Sequence, residues 1–241
     1  IMFKEAVSKV DNICKVGNFK KPILLGVTIL TSLKKEDLVS IDWGKDIRKV
    51  VKPVLNKNIG DIYYIDMSFD ELKLGGSSFA QTQNKIGANA PTINDSNKFK
   101  DAFNLVQDLI RANKIKSGHD ISSGGMITTL LELCFSSNKI GMDIDLTEIG
   151  CSDTVKLFFS ENAGLIIQSD SDLNTDFSRL GVSCFKIGKI NKDGLLNIKN
   201  FKSDFSFNIE KYRDIWFSTS RDFFVNKLKR FLRKLLNEKK L

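Results

Sequence analysis

The chain has 241 residues, of which 41% are hydrophobic, and its mean hydropathy is -0.15. This composition can bury the core of one large domain, or of one and a half smaller domains. No run of about eighteen apolar residues occurs, so the sequence predicts no membrane span, and its first residues lack the order of a signal peptide.

The formal charge of +8 is concentrated at one end of the chain. Residues 206–241 contain ten basic and four acidic residues, whereas the first 205 residues are nearly neutral. A nucleic-acid-binding domain needs basic charge on its folded body, so we expect neither nucleic acid nor a membrane as a partner. The cysteines are Cys14, Cys134, Cys151 and Cys184. They form no CxxC pair, which favours free, buried thiols in a reducing compartment and predicts a cytoplasmic location.

Strand-like and helix-like patterns alternate along the chain. In chain order they are strands at 22–32, 47–55 and 61–69, helices at 79–87, 97–113 and 126–136, a strand at 141–149, a helix at 154–159, and strands at 164–169, 184–190 and 195–200. The segment 47–55 is a strand edge or a domain boundary. This alternation predicts an α/β (α+β) domain with a mixed sheet and helices packed on it.

Three of these elements carry more specific predictions. The helix at 97–113 is amphipathic and is expected to begin at Asp95 or Ser96 as its N-cap. The helix at 126–136 is apolar on nearly every face, so it is expected to be buried. The strands at 184–190 and 195–200 are expected to form a hairpin, because an Asp-Gly turn lies between them.

The tail from Glu210 onward is predicted to be helical. Its apolar stripe contains Trp216, Phe217, Phe223, Phe224, Leu228, Phe231, Leu232 and Leu235. A basic helix with such a stripe fits a helix that docks on the rest of a larger protein. Binding to a membrane surface or to nucleic acid through residues 206–241 is the alternative.

Two glycine-rich loops have the composition of ligand-binding loops: LGGSS at residues 74–78 and SGHDISSGG at residues 117–125. Each is expected to consist of a strand end, glycines, a hydroxyl residue and then the start of a helix. The glycines let the backbone approach an anion, and the helix start has free N–H groups. Ser77 and Ser122 could donate to a phosphate oxygen, and Asp120 could hold Mg²⁺ beside nucleotide phosphates. An ordinary tight turn and a capped helix start remain the alternatives.

The chain's only histidine, His119, could orient Asp120, contact a ligand or cap a strand. No lysine follows the glycines of either loop, so neither is a Walker A loop. The spacing supports no Ser/His/Asp triad. We therefore predict no catalytic residue in this chain.

The loops carry a resemblance to a known family. The segments DMSFDELKLGGSSFAQ (66–81) and GHDISSGGMITTLLELCF (118–135) resemble phosphoribosylformylglycinamidine synthase, in which an LGGS-x-x-AQ loop precedes an HD-x-S-x-GG loop. The segments DIRKVVKPVL (46–55), ENAGLIIQ (161–168) and YRDIWFSTS (212–220) also look like the family pattern. The resemblance extends over about residues 45–222.

The resemblance implies a domain organisation. Residues 1–52 would be a remnant of the preceding nucleotide-binding-type domain, and residues 53–205 would form the C-terminal-like α/β domain of an aminoimidazole-ribonucleotide synthetase. Residues 206–241 would lead towards a glutaminase domain that is missing here, as is the other synthetase half. A stand-alone ATP-binding paralogue of the same superfamily is a further alternative.

The resemblance also implies a reaction and a set of site residues. The family converts formylglycinamide ribonucleotide, ATP and glutamine to the amidine, ADP, phosphate and glutamate, and the isolated chain is expected to be inactive. By the family pattern Asp120 ligates Mg²⁺ and Ser122 contacts ATP or ADP at a largely structural nucleotide site. The implied nucleotide-binding residues also include Gly75, Gly76, Ser77, Gly124 and Gly125. Many members have arginine and aspartate where this chain has Ile121 and Ser123.

Overall fold

The computed structural model describes residues 51, 54–58, 60–136 and 139–218. The chain divides into two units, Ile1–Ile47 and Arg48–Leu241, and every described residue belongs to the second. The strand predicted at 22–32 and most of the tail lie outside the described residues, and so does much of the segment 47–55. The domain boundaries proposed from the sequence stay predictions, although the one after residue 205 falls within a strand.

The described residues form one mixed sheet with helices packed on it. Its strands are β1 (Asp61–Asp66), β2 (Ile115–Asp120), β3 (Gly141–Asp145), β4 (Gly164–Ser169), β5 (Cys184–Asn191), β6 (Leu195–Lys199) and β7 (Asp204–Asn208). They lie in the order β2-β4-β1-β5-β3-β6-β7. Neighbouring strands are antiparallel, except that β3 and β6 are parallel. The predicted mixed-sheet α/β fold is confirmed.

The helices are α1 (Ser78–Thr82), α2 (Ser96–Arg111), α3 (Gly125–Phe135), α4 (Thr154–Phe159) and α5 (Asn174–Ser178), with a 3-10 turn at Thr147–Ile149. Asp95 is the N-cap of α2, and its carboxylate accepts a 2.9 Å hydrogen bond from the Lys98 amide. Helix α3 is largely buried, with Leu130 fully enclosed. The predictions for α2, α3 and α4 are confirmed, whereas α5 was not predicted.

Strand β1 divides the core into two clusters on the opposite faces of the sheet. Ile62 and Tyr64 pack with residues of α3 and α4, while Tyr63 and Ile65 pack with residues of α2 and α5. Successive side chains of a strand point to opposite faces, so four consecutive buried residues place β1 between two helical layers. Burial raises the pKa of the Tyr63 hydroxyl to about 12, and the nearby Asp61 acts in the same direction.

Strand β2 was expected only as a strand end before the second glycine-rich loop, and its bounds were not predicted, because its sequence is mostly polar. It lies at the end of the sheet and pairs with β4 alone. Ile115 and Ser117 are buried, whereas Lys116, His119 and Asp120 are partly or fully exposed. An edge strand with one apolar side chain in six positions lacks the alternation by which strands are recognised. This strand ends at Asp120 and so positions the second glycine-rich loop.

The predicted hairpin of β5 and β6 is wrong. The structure inserts β3 between these strands, antiparallel to β5 and parallel to β6. Asp143 of β3 accepts 2.9 Å hydrogen bonds from the amide groups of both Asn191 and Asn197, one on each side. Those two amides hold the pKa of Asp143 below its ordinary value. The turn after Asn191 exists, but the two strands that it joins, β5 and β6, do not pair because β3 lies between them.

The described tail residues 209–218 are helical and begin α6, as predicted from about Glu210. Ile209 is fully buried, and the Trp216 ring lies 6.5 Å from that of Phe135 between centroids. The side chains of Ile215, Trp216 and Phe217 are about half exposed. The rest of the predicted stripe lies outside the described residues. Among the residues that the structure describes, no helix is long and apolar enough to cross a membrane.

Candidate functional site

The two glycine-rich loops meet at the carboxylate of Glu161. One oxygen, Oε1, accepts hydrogen bonds from the amides of Ser78 and Gly124, each 2.8 Å long. Ser78 is the first residue of α1, and Gly124 is the N-cap of α3. A carboxylate at a helix N-terminus makes charge-assisted hydrogen bonds and a favourable interaction with the helix dipole. A single side chain therefore fastens the starts of two helices.

The segment before Glu161 also touches both loops. The rings of Phe79 in α1 and Phe159 in α4 are stacked with their centroids 4.7 Å apart. A Cβ placed on Gly125 would lie 2.5 Å from the carbonyl oxygen of Phe158 and 2.8 Å from two backbone atoms of Phe159. The two loops are thus packed against the end of α4 as well as bonded to Glu161.

The first loop is built by internal hydrogen bonds. Ser77 is 1% exposed, and its hydroxyl donates to the Leu74 carbonyl at 2.7 Å and accepts from the Ala80 amide at 3.2 Å. The Gly75 amide donates to Asn89 at 2.8 Å and the Gly76 amide to Ile86 at 2.6 Å. These predicted ligand contacts already have protein partners, which favours a role in shaping the turn; ligand contact at Gly75, Gly76 and Ser77 stays a prediction.

The second loop leaves β2 and turns into α3 through two glycines. Gly124 and Gly125 have φ angles of +91° and +72°, a region that other residues adopt only with strain. The Gly125 amide donates to the Ser122 carbonyl at 3.0 Å and closes the turn. Ser122 and Ser123 are exposed. The loop therefore presents hydroxyl groups to solvent on a backbone that only glycines allow.

Two side chains contact the backbone carbonyl of Asp120, and its carboxylate is exposed. Its carbonyl accepts a 3.0 Å hydrogen bond from the Thr129 hydroxyl, and the Nδ1 of His119 lies 2.7 Å from the same oxygen. The Nε2 of His119 is 3.0 Å from a carboxylate oxygen of Glu132 on α3. The Asp120 side chain is 70% exposed, and its Oδ1 is 3.4 Å from Nδ1 of His119. Of the three roles considered for His119, the structure favours orienting Asp120.

Ile121 lies on the inner side of this loop. It is 8% exposed and belongs to the core cluster of α3 and α4. A Cβ on Gly164 would come within 3.2 Å of its terminal carbon. Where many family members have arginine, this chain therefore has a side chain that anchors the loop to the core. Ser123, the other departure, is exposed.

Asn162 holds the segment that leads into the first loop. Its side-chain oxygen accepts from the Lys73 amide at 3.2 Å, and its side-chain nitrogen donates to Ser68 Oγ at 3.2 Å and to the Glu71 carbonyl at 3.0 Å. It is 2% exposed. Neither Glu161 nor Asn162 was predicted as a site residue. The available signal was their position in the family-like segment ENAGLIIQ.

Asp70 fixes the other side of the same segment. Its carboxylate lies 2.7 Å from the Lys73 ammonium and accepts 3.1 Å hydrogen bonds from the amide and hydroxyl of Thr92 and from the side chain of Asn94. Lys73, and after it Thr92, hold the pKa of Asp70 well below its ordinary value. The ionised form is therefore the form that the folded chain stabilises.

Replacing Asp70 with asparagine is expected to lower stability at pH 7 and to have a smaller effect at pH 3. The pKa in the unfolded chain is about 3.9, and a folded pKa below it means that stability rises with pH. The contribution of Asp70 is thus fully present above about pH 5 and is lost progressively as the pH falls. Urea unfolding of both proteins at the two pH values measures it, with Asp101→Asn on the exposed face of α2 as the control. An equal destabilisation at both pH values would contradict the ionic explanation.

Two clefts adjoin the loops. One, of about 550 Å³, lies beside residues 71–75 and is also lined by Lys85 and Lys156. The other, of about 430 Å³, has Asp120 and His119 at its edge and an apolar lining that includes Phe99 and Phe103. Both volumes fall in the range of small-molecule sites. Asp120 is thus placed beside a space that a ligand can enter.

Metal binding at Asp120 stays a prediction. No group of three or more His, Cys, Asp and Glu side chains converges in the part of the chain that the structure describes. Mg²⁺ binds through one or two carboxylates together with phosphate oxygens and water, so Asp120 alone fits that arrangement. Cys134 is free and buried, as predicted, whereas Cys151 and Cys184 are free but only partly buried. Burial raises the pKa of Cys134 and of Cys184 to about 12.

These features define a mixed-sheet α/β domain with a two-loop site at the start of α1 and α3. The sequence pattern of the family described as "AIR synthase related protein, C-terminal domain" matches residues 62–199. The chain belongs to this family, which confirms the resemblance seen in its sequence.

Two relatives show where such a domain occurs. The chain is 34% identical over 192 residues to the "Probable phosphoribosylformylglycinamidine synthase, chloroplastic/mitochondrial" of Arabidopsis thaliana. The match covers 77% of this chain and 13% of the relative. It is 31% identical over 159 residues to the "Probable phosphoribosylformylglycinamidine synthase" of Caenorhabditis elegans, covering 60% of this chain and 12% of the relative. The chain thus spans about an eighth of the length of these relatives.

Solved structures share the fold at low sequence identity. A structure of Thermotoga maritima PurL complexed with FGAR has a TM-score of 0.53 at 10% identity, covering 68% of this chain and 29% of that one. The structure of PurLQS from the same organism has a TM-score of 0.52 at 10% identity, covering 69% of this chain and 28% of that one. These similarities confirm the fold alone.

Proposed function

We propose that this chain is a segment of phosphoribosylformylglycinamidine synthase, the ATP- and glutamine-dependent ligase that amidates formylglycinamide ribonucleotide in purine biosynthesis. The observation that carries the proposal is the joining of both motif loops at Glu161, together with the exposure of Asp120 and Ser122 in the second loop. The names of the two relatives support it. So do structures of Thermotoga maritima PurL complexed with ATP and with FGAR.

Asp120 would be the Mg²⁺ ligand of this segment. Its exposed carboxylate repels a polyphosphate, and a divalent cation between the two removes that repulsion. The bound metal would neutralise charge on the phosphate groups. Asp120 would hold the metal. The contacts of its backbone carbonyl with His119 and Thr129 fix the position of its backbone, from which the carboxylate extends.

Ser122 would donate its hydroxyl hydrogen to a nucleotide oxygen. Gly124 and Gly125 would contribute by shaping the loop, because their amides already donate to Glu161 and to the Ser122 carbonyl. Gly75, Gly76 and Ser77 would hold the first loop in place. The remaining contacts to ATP or ADP would come from the preceding domain and from the other synthetase half. The glutaminase domain would supply ammonia, as the resemblance implies.

The domain assignment is part of this proposal: residues 1–52 from the preceding domain, 53–205 as the synthetase C-terminal-like domain and 206–241 as the lead to the glutaminase. A cytoplasmic location also remains a proposal, since the Arabidopsis relative carries an organellar name. The exposed Ile215, Trp216 and Phe217 favour docking of α6 on another part of the parent protein over a nucleic-acid contact.

The 241-residue chain alone is expected to form no amidine. The described residues offer a single candidate metal ligand and half of a nucleotide site, so the reacting groups cannot be assembled. Release of ADP measured with formylglycinamide ribonucleotide, ATP, Mg²⁺ and ammonium tests this, with a complete phosphoribosylformylglycinamidine synthase as the positive control. Substrate-dependent ADP release from the chain alone would refute the proposal that it is a segment, and would favour a stand-alone enzyme.

A further inference from the structure

Glu161 has a geometry that a simple helix cap does not need. A cap satisfies the amides of the helix that follows it, whereas Glu161 lies 83 residues after Ser78 and 37 residues after Gly124. It belongs to neither helix, and one of its oxygens accepts from both. The two helix starts are held at a fixed separation because they share one acceptor atom.

We propose that Glu161 is a positioning residue that couples the 74–78 loop to the 118–125 loop, so that the two loops move as one unit. The end of α4 supplies the rigid support. Phe159 stacks on Phe79 from the first helix, and the backbone of Phe158 fills the space beside Gly125 of the second. Asn162, the next residue after Glu161, holds the chain that enters the first loop.

The coupling acts on the exposed groups of the second loop. The amide of Gly124 is two residues after Ser122 and four after Asp120, and the carbonyl of Ser122 closes the turn on Gly125. Releasing Gly124 from Glu161 frees this turn to move. The first loop then loses its hydrogen-bonded connection, through Glu161, to the turn that carries Asp120 and Ser122. The inference rests on the proposed function only in calling these groups a nucleotide site.

Hydrogen exchange of the ligand-free 241-residue chain measures the coupling directly. In Glu161→Ala the amides of Ser78 and Gly124 should exchange about tenfold faster or more, since each loses a charge-assisted hydrogen bond. The amide of Leu130 in the buried middle of α3 should not change. In Glu161→Gln most protection should return at both amides, because a side-chain amide oxygen can accept the same two bonds. Glu148→Ala removes an exposed carboxylate and should change neither amide.

A double substitution separates coupling from local capping. Gly76 has a φ of +74° and open space around its Cβ position, so Gly76→Ala strains the first loop without a clash. It should speed exchange at Gly124 when Glu161 is present and leave it unchanged in the Glu161→Ala background. Equal effects in both backgrounds, or faster exchange at only one of the two amides in Glu161→Ala, would overturn the proposal.

If Glu161→Ala does not fold, Gly76→Ala in the original chain decides the question. It should speed exchange at Gly124, which lies on the other side of the shared Glu161 oxygen, and unchanged exchange at Gly124 would overturn the coupling. A separate titration with Mg·ADP tests the proposed function. Absence of nucleotide binding leaves the ligand-free exchange result standing, so the two failures are distinguishable.

Discussion

Replacing Gly125 with alanine is expected to destabilise the fold by about 2–5 kcal/mol. The new methyl group would lie 2.5 Å from the Phe158 carbonyl oxygen and 2.8 Å from the backbone of Phe159. These are backbone atoms, which cannot move aside as a side chain can. Overpacking of this kind costs roughly 1–3 kcal/mol, and the left-handed backbone at φ +72° adds about 1–2 kcal/mol.

Gly150 provides the matched control for this substitution. Its φ is +78°, close to that of Gly125, but no atom lies within 4 Å of its Cβ position. Gly150→Ala should therefore show the conformational cost alone, about 1–2 kcal/mol. Thermal and urea unfolding of the three proteins measure the difference. Equal losses in the two variants would mean that the contact with α4 does not constrain the loop.

Replacing Asp120 with alanine is expected to weaken binding of Mg·ADP by at least about 10- to 100-fold in a complete enzyme that contains this segment. Even changes to residues that support a metal ligand cost that much, and Asp120 would be the ligand itself. The folded stability should stay within about 0.5 kcal/mol, because the side chain is 70% exposed. In the isolated chain the substitution should have no measurable effect, since the other ligands are not there.

Chelation distinguishes a metal ligand from a general electrostatic effect. With EDTA present, the original protein and Asp120→Ala should bind ADP with the same affinity, because the difference depends on the metal. Calorimetric titration with and without Mg²⁺ measures this. Asp101→Ala on the exposed face of α2 removes the same charge away from the site and should change nothing. Unchanged nucleotide binding in Asp120→Ala would exclude the metal assignment.

Elements with strong local signals were predicted well from the sequence. Helix α2 has an amphipathic pattern and Asp95 at its start, and α3 is apolar all round; both follow from short-range spacing. The bounds of strand β2 were missed because only one of its six residues, Ile115, is apolar. A local sequence pattern indicates how much of a segment is buried, and an edge strand of a sheet buries fewer of its side chains than a central strand does.

The pairing of strands that are distant along the chain could not be predicted from the sequence. The Asp-Gly turn after Asn191 correctly predicted a change of direction, but it carries no information about which strand lies beside β5. The same limit applies to the site. The motifs indicated Asp120 and Ser122, whereas Glu161 became visible only when folding brought it to the amides of Ser78 and Gly124. A side chain that accepts hydrogen bonds from two remote backbone amides produces no recognisable spacing in the sequence, because a backbone amide is present at nearly every residue.

The position of β3 between β5 and β6 has a consequence for how the chain acquires its fold. The hydrogen bond from Asn197 to Asp143 closes a separation of 54 residues, and loops of that length slow the folding of a domain relative to local hairpins. A nascent chain that has not yet reached residue 195 exposes one edge of β3 with unpaired backbone groups, which can pair with other chains. Strand β6, which is synthesised well after β3, is therefore the strand that covers this edge.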